Sequence, residues 1–231
     1  MSPRPRKDEQ QINLQDAIKE TAWRQIAESG AASLSLRAIA RELHITAPAI
    51  YNYFPDRDAL VTALIVDAYQ AFGDAQLASI QNLPPDDFSG RLLASGLAYR
   101  QWAHQHPQRY QLIFGTPIPG YEAPYDVVLP SGTRSISALA SQVEAIRRAG
   151  KLNVEKFPEI MPQYRPMFEA WQKASGSDID LLSLSVAVLI WARVHGIVSL
   201  ELAGNLPPFG VSGDALYLYA MDQLEREIIK P

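Results

Sequence analysis

The chain has 231 residues, 47% of them hydrophobic and 20% charged. That is the balance of an ordinary globular protein, and it excludes wholesale disorder or a collagen-like repeat. There is no cysteine, which removes disulfides, thiolate zinc sites, iron–sulfur clusters and a cysteine nucleophile from consideration. The net charge of −4 is unevenly placed: residues 1–60 hold eight Lys/Arg and eight Asp/Glu, so the rest of the chain carries the whole excess. A neutral first quarter on an acidic body is a weak sign that only the first part approaches a polyanion.

The start, Met1 to Lys7, is basic but lacks the following apolar run of a secretory signal. Residues 1–11 are rich in proline and charge and read as a mobile arm whose Arg4, Arg6 and Lys7 could reach DNA. Asn13 can cap a first helix, with Asp16 in its first turn, and Gly30 can stop it. Ser35 can cap a short helix from Leu36 to Leu43, and Thr46 a third from Ala47 to Phe54, with Pro48 harmless in its first turn. Pro55 ends that helix, and Asp56 can cap a long fourth one reaching about Leu83. Further helices are expected at about 87–105, 107–114, 131–149, 163–174, 179–204 and 212–229. Residues 115–130 and 151–162, rich in Pro and Gly, read as breaks, and no stretch shows the sustained alternation of a strand. The fold class is therefore all-α. Leu181 to Leu202 is apolar enough to suggest a membrane span, but Arg193, His195 and Glu201 within it favour a buried helix, and no membrane partner is expected.

Two short helices joined by a tight turn and braced by a preceding helix make a helix-turn-helix, whose second member offers its first residues to the DNA major groove. Here that start is small and polar (Thr46, Ala47, Pro48), which permits close approach to base edges. Residues 33–60, SLSLRAIARELHITAPAIYNYFPDRDAL, resemble the DNA-binding segment of the TetR family of transcriptional regulators through Ile39-Ala40, Leu43, Ile45, Ile50-Tyr51, Tyr53-Phe54, Asp56-Arg57 and Leu60. One departure is His44, in a turn position usually taken by Gly. The resemblance implies base-facing roles for Ala47 and Pro48, and a base or phosphate contact for Arg37. It implies groove and backbone contacts for Tyr51 and Tyr53, and phosphate contacts for Ser35, Thr46 and Arg57. The implied organisation is a DNA-binding head over residues 1–57 and a helical effector-binding and dimerisation body over residues 58–231.

The body is similar to one TetR subgroup, through Tyr99-Arg-Gln-Trp-Ala103, His106-Pro107, Tyr110-x-Leu112-x-Phe114-Gly115 and the Trp191…His195-Gly196 signature. We expect a cavity bounded by the helices at 87–105, 131–149 and 179–204 and walled by members of the set Tyr99, Trp102, Tyr110, Phe114, Tyr121, Trp191 and His195. Residues 115–130 would close over it as a lid. Charges on those three helices are few, so a strongly charged effector is not expected. His104 and His106 share no helix face; no metal site, cofactor or catalytic residue is expected. The long apolar helix and the last one supply a dimer face, expected at Leu181, Leu184, Val188, Leu189, Leu218 and Met221. The whole reads as a cytoplasmic homodimeric repressor, binding an inverted-repeat double-stranded DNA operator and released by a small, fairly apolar effector. The competing reading is a helical small-molecule binding protein or enzyme with a vestigial head. A third is a regulator partnered by another protein through 115–130.

Overall fold

The computed structural model describes residues 7–206 and 213–231. It contains α1 (Lys7–Ser29), α2 (Leu36–Glu42), α3 (Ala47–Tyr51), α4 (Arg57–Ile80), α5 (Phe88–Gln105), α6 (Pro107–Phe114), α7 (Tyr125–Arg148), α8 (Arg165–Ser175), α9 (Leu181–Leu202) and α10 (Asp214–Ile228). Among the described residues the only extended pairing is an isolated bridge between Leu152 and Ile229. The all-α class expected from the sequence is the class observed.

Two elements start earlier than their sequence signals suggest. Helix α1 begins at Lys7 rather than after Asn13. Residues 7–12 are mostly Lys, Glu and Gln, which are good helix formers, and Asp8 and Glu9 lie where the helix dipole favours anions. The first six residues of the expected arm, with Arg4 and Arg6, lie outside the described residues. Helix α7 begins at Tyr125 and runs through Pro130. Pro130 lies in the second turn, where its missing N–H leaves the Asp126 carbonyl without a helix partner, and the helix continues through it. The expected lid at 115–130 therefore shrinks to a loop over 115–124.

The chain divides into two compact units. The first holds the residues up to Ala68 together with Gln108–Val128, so it is larger than a head ending at residue 57. The added segment is tied in by Tyr121, whose hydroxyl lies 2.9 Å from Thr62 Oγ1, and by Arg109, whose guanidinium sits 5.1 Å from the Trp23 ring centre. The core of this unit includes Ile18, Ala22, Ile39, Ile50, Leu60 and Leu64, all fully buried. Ile18 and Ala22 of α1, and Leu60 and Leu64 of α4, stand four apart, so each of these helices presents an apolar stripe, and Ile39 of α2 and Ile50 of α3 meet it.

The second unit holds Tyr69–Pro107 and Leu129–Pro231. Among the described helices α9 alone is long and apolar enough to cross a membrane, and it packs against α5, α8 and α10. Gly96 lets α10 approach α5 closely: a Cβ there would lie 2.6 Å from the Met221 methyl, and the Gly96 carbonyl accepts from the Tyr217 hydroxyl. Two buried carboxylates fasten the helices. Glu201 of α9 accepts from Arg100 Nε at 2.8 Å and pairs with His104 Nε2 at 3.0 Å, and the same Arg100 reaches Asp214 of α10 at 2.6 Å. Glu144 of α7 accepts from Arg147 at 2.8 Å, from Arg148 at 2.6 Å and from the Ser183 hydroxyl of α9 at 2.7 Å.

Hydrogen bonding from Arg100 holds the Glu201 carboxyl down to about 2, from an ordinary value of 4.5. Arg147 does the same for Glu144, also to about 2. Depressed carboxylates contribute stability that is present above the ordinary value and lost as the pH falls through the folded-state value. The second unit should therefore lose stability steadily between pH 4.5 and about 2. Glu201→Gln removes the charge that Arg100 and His104 face but leaves Arg100 paired with Asp214, and should cost about 1–3 kcal/mol at pH 7. It should also flatten the pH dependence in the acid window. Urea melts at neutral and acid pH, followed by circular dichroism, measure both effects.

Candidate nucleic-acid interface and effector cavity

The turn between α2 and α3 ends α2 with a Schellman motif: the Ile45 N–H donates to the Ala40 carbonyl at 3.0 Å and the His44 N–H to the Arg41 carbonyl at 3.2 Å. This places His44 in the left-handed region, with φ of 55°. Such a turn normally uses glycine, and histidine tolerates it at modest cost. The side chain of Ser35 caps α2 by accepting from the Ala38 N–H at 3.4 Å. Thr46, expected to cap α3 in the same way, makes no such bond, and its side chain is exposed.

Ile50 and Phe54 fill the inward side of α3 and the turn after it, leaving Thr46, Ala47, Pro48 and Tyr51 exposed and Tyr53 half-buried. Tyr51 shows 42% of its surface, high for a large apolar residue in a well-packed head. The charges of the first unit sort into two kinds. Lys19 pairs with Asp67 at 2.8 Å, Arg24 pairs with Glu42 at 2.8 Å, and Arg109 covers Trp23. Arg57, expected as a phosphate contact, is engaged within the unit. Its Nη2 donates inward to the carbonyls of Ala31 at 3.1 Å and Ala32 at 3.3 Å, bracing the single 3₁₀ turn after α1. Arg37 and Arg41 are exposed, with no counter-charge among the described residues. They stand four apart on one face of α2. Glu42, which by sequence offsets Arg41, is already neutralised by Arg24. The Arg24–Glu42 pairing spans 18 positions, so no local pattern signals that Arg41 is left free.

In the second unit a column of rings runs through the core. His195 stacks on Trp191 with centres 4.9 Å apart, and its Nδ1 lies 3.0 Å from the Tyr99 hydroxyl. Tyr99 meets Phe72 edge-on at 4.7 Å, and Phe72 meets Trp102 at 4.9 Å. The other His195 nitrogen lies 3.3 Å from the Ser199 hydroxyl. Burial pushes the His195 pKa down, which favours the neutral imidazole.

Beside this column lies a cavity of about 210 Å³. Helices α5, α7 and α9 contribute to its wall, as does α10, which the sequence did not suggest. Of the seven aromatic and histidine positions expected there, Tyr99 and Trp191 line it. Trp102 and His195 stand behind the wall, in the ring column. Tyr110, Phe114 and Tyr121 belong to the first unit and do not line this cavity.

The expected dimer positions also divide. Leu189 and Leu218 are half exposed, and Leu181 and Val188 are partly so. Leu184 and Met221 are 1% and 7% exposed and point into the core of their own unit, so they cannot meet a partner directly. Apolarity all round α9 hid which of its sides was already covered.

Comparison with known proteins follows the same lines. Residues 18–64 match the family described as bacterial regulatory proteins, tetR family. Residues 92–224 match the tetracyclin repressor-like C-terminal domain. The HTH-type transcriptional regulator Rv1816 of Mycobacterium tuberculosis is 35% identical over 195 residues, covering 83% of this chain and 82% of that one. A solved regulatory protein, SCO4313, shares 32% identity over 96% of this chain and 98% of its own, with a TM-score of 0.75. A protein of unknown function from Rhodococcus sp. RHA1 has the same fold, with a TM-score of 0.71 at 23% identity over 94% of this chain and 96% of its own.

The two classes of arginine should respond differently to truncation. Arg57→Ala removes two hydrogen bonds to carbonyls and should lower stability by about 1–3 kcal/mol. Arg37→Ala and Arg41→Ala should melt like the parent. Each should weaken binding to any duplex and reduce the salt slope by about one per protomer. Thermal melts and salt-titrated fluorescence anisotropy separate the two.

Proposed function

Because this chain belongs to the TetR family of DNA-binding transcriptional regulators, we propose that it acts as a cytoplasmic homodimeric repressor, held on an inverted-repeat operator and released by a small, fairly apolar effector. The observation that carries the DNA half of this reading is the pairing of spare charge with small exposed residues. Arg37 and Arg41 offer uncompensated guanidiniums to phosphates, while Ala47, Pro48 and Tyr51 are exposed where base edges would meet them. Two such heads, related by a two-fold axis, read half-sites about one helical turn apart.

Support for the dimer comes from α9. Ser185, Leu189, Ala192, Gly196 and Leu200 follow one another at spacings of three and four, so they share one side of the helix. Leu189 and Leu200 are nearly half exposed. Gly196 sits in the middle of the helix with nothing within 4 Å of where its Cβ would be. A mid-helix glycine costs about 1 kcal/mol relative to alanine. Open space over it is what close approach of a second helix requires. The same side on a two-fold mate, with Leu218 and Tyr219 of α10, completes a four-helix contact.

The effector half rests on the cavity beside Tyr99 and Trp191. Release needs an effector that binds the DNA-incompetent arrangement of the dimer better than the competent one. No catalytic step enters this reading.

Leu189→Glu tests the arrangement. Leu189 is 49% exposed, so the charge should leave the protomer folded. Sedimentation should show a monomer, and operator affinity should fall at least a hundredfold as the second head is lost. Tyr51→Ala should keep the dimer and weaken operator binding several-fold. A Leu189→Glu protein that sediments as a dimer would overturn the assigned face.

A further inference from the structure

The charged residues that line the effector cavity are Asp222 and Glu225, both acidic and both on α10. No lysine, arginine or histidine lines it. The two carboxylates differ in what they already hold. Asp222 is paired with Arg226 one turn on, at 3.0 Å. Glu225 is half-buried and makes no side-chain hydrogen bond or ion pair with the described residues. The neighbouring Arg226 feels the charge of Glu225 but bonds to Asp222. His195, behind the wall, is kept neutral by burial and brings no positive charge to the region.

The remaining wall is largely aliphatic, with Leu92, Leu139 and Ile190 among its members, and carries the rings of Tyr99 and Trp191. A partly desolvated carboxylate without a counter-ion is costly next to such surfaces. A ligand that brings one positive charge on an apolar body would offset that cost. Indole and phenol rings attract such a charge through their electron-rich faces.

We propose that the effector of this cavity is an organic monocation: a compact apolar molecule with one quaternary or protonated amine that faces Glu225 and packs its carbon groups against Tyr99 and Trp191. The inference rests on the effector reading above and adds the ligand's charge and the residue that selects it. The helices at 87–105, 131–149 and 179–204 carry few charges, so the sequence suggests no strongly charged effector; the further wall, α10, supplies the selecting carboxylate.

Three probes of similar size test this on the full-length protein: benzyltrimethylammonium, uncharged benzyl alcohol and benzenesulfonate. Calorimetry should find the cation bound most tightly and the sulfonate not at all. Glu225→Gln preserves the shape of the side chain, and should weaken the cation about tenfold or more while leaving the alcohol unchanged. Equal binding of cation and alcohol, or an unaltered cation affinity in Glu225→Gln, overturns the charge assignment and leaves the cavity as an effector site. Failure of all three probes to bind overturns both. Operator release is read in the same titrations. A cation that binds in a Glu225-dependent way yet leaves the operator complex intact upholds the site and overturns its role as the effector switch.

Discussion

A 22-residue helix that is apolar on nearly every side has to be covered, and the second unit is organised around that requirement for α9. Burying such a helix is favourable wherever apolar surface leaves water, but the hydrophobic effect has no direction of its own. Direction comes from the few polar groups on α9 and their partners. Glu201 accepts from Arg100 on α5, and Arg100 in turn reaches Asp214 on α10. Ser183, near the other end of the helix, donates to Glu144 of α7. These contacts fix which helix lies on which side, and the remaining uncovered strip is a result of that choice. Unpaired, the same carboxylates would each be a buried charge costing several kcal/mol. The network supplies directional partners that apolar contact alone does not.

The Tyr99–His195–Trp191 assembly joins this scaffold to the cavity. Neutral imidazole can donate from one nitrogen and accept at the other, and here both have hydroxyl partners. Its flat face lies on the indole ring. The histidine thus sets the orientation of two rings that line the cavity without lining it itself. In the Trp–His–Gly signature, the tryptophan forms part of the wall, the histidine positions it, and the glycine lies open in the middle of α9. These three roles have three separate physical causes.

Much of the first unit was legible in the sequence because its signals are local. Ser35 as a cap, Pro48 in a first turn and Ile50 with Phe54 facing inward each depend on residues within a few positions. The helix signals of the body were legible for the same reason, apart from the start of α7, which lies in the Pro- and Gly-rich stretch 115–130. What escaped were relations between distant residues. Arg57 lies 26 positions from the carbonyl it braces, and Arg24 lies 18 from the glutamate it neutralises. Residues 108–128 join the first unit through long-range contacts, among them the Thr62–Tyr121 hydrogen bond across 59 positions. The share of α10 in the cavity wall, and the inward turn of Leu184 and Met221, likewise follow from packing that no periodicity encodes.

The head also keeps its structural cations apart from those it leaves free. Lys19, Arg24, Arg57 and Arg109 are engaged within the unit, whereas Arg37, Arg41 and the exposed start of α3 support nothing else in it. Substitutions at the free positions leave the core, the turn and the internal ion pairs intact. Under the proposed DNA-binding role, a gene copy could therefore shift its DNA preference through a handful of such replacements, each nearly neutral for folding.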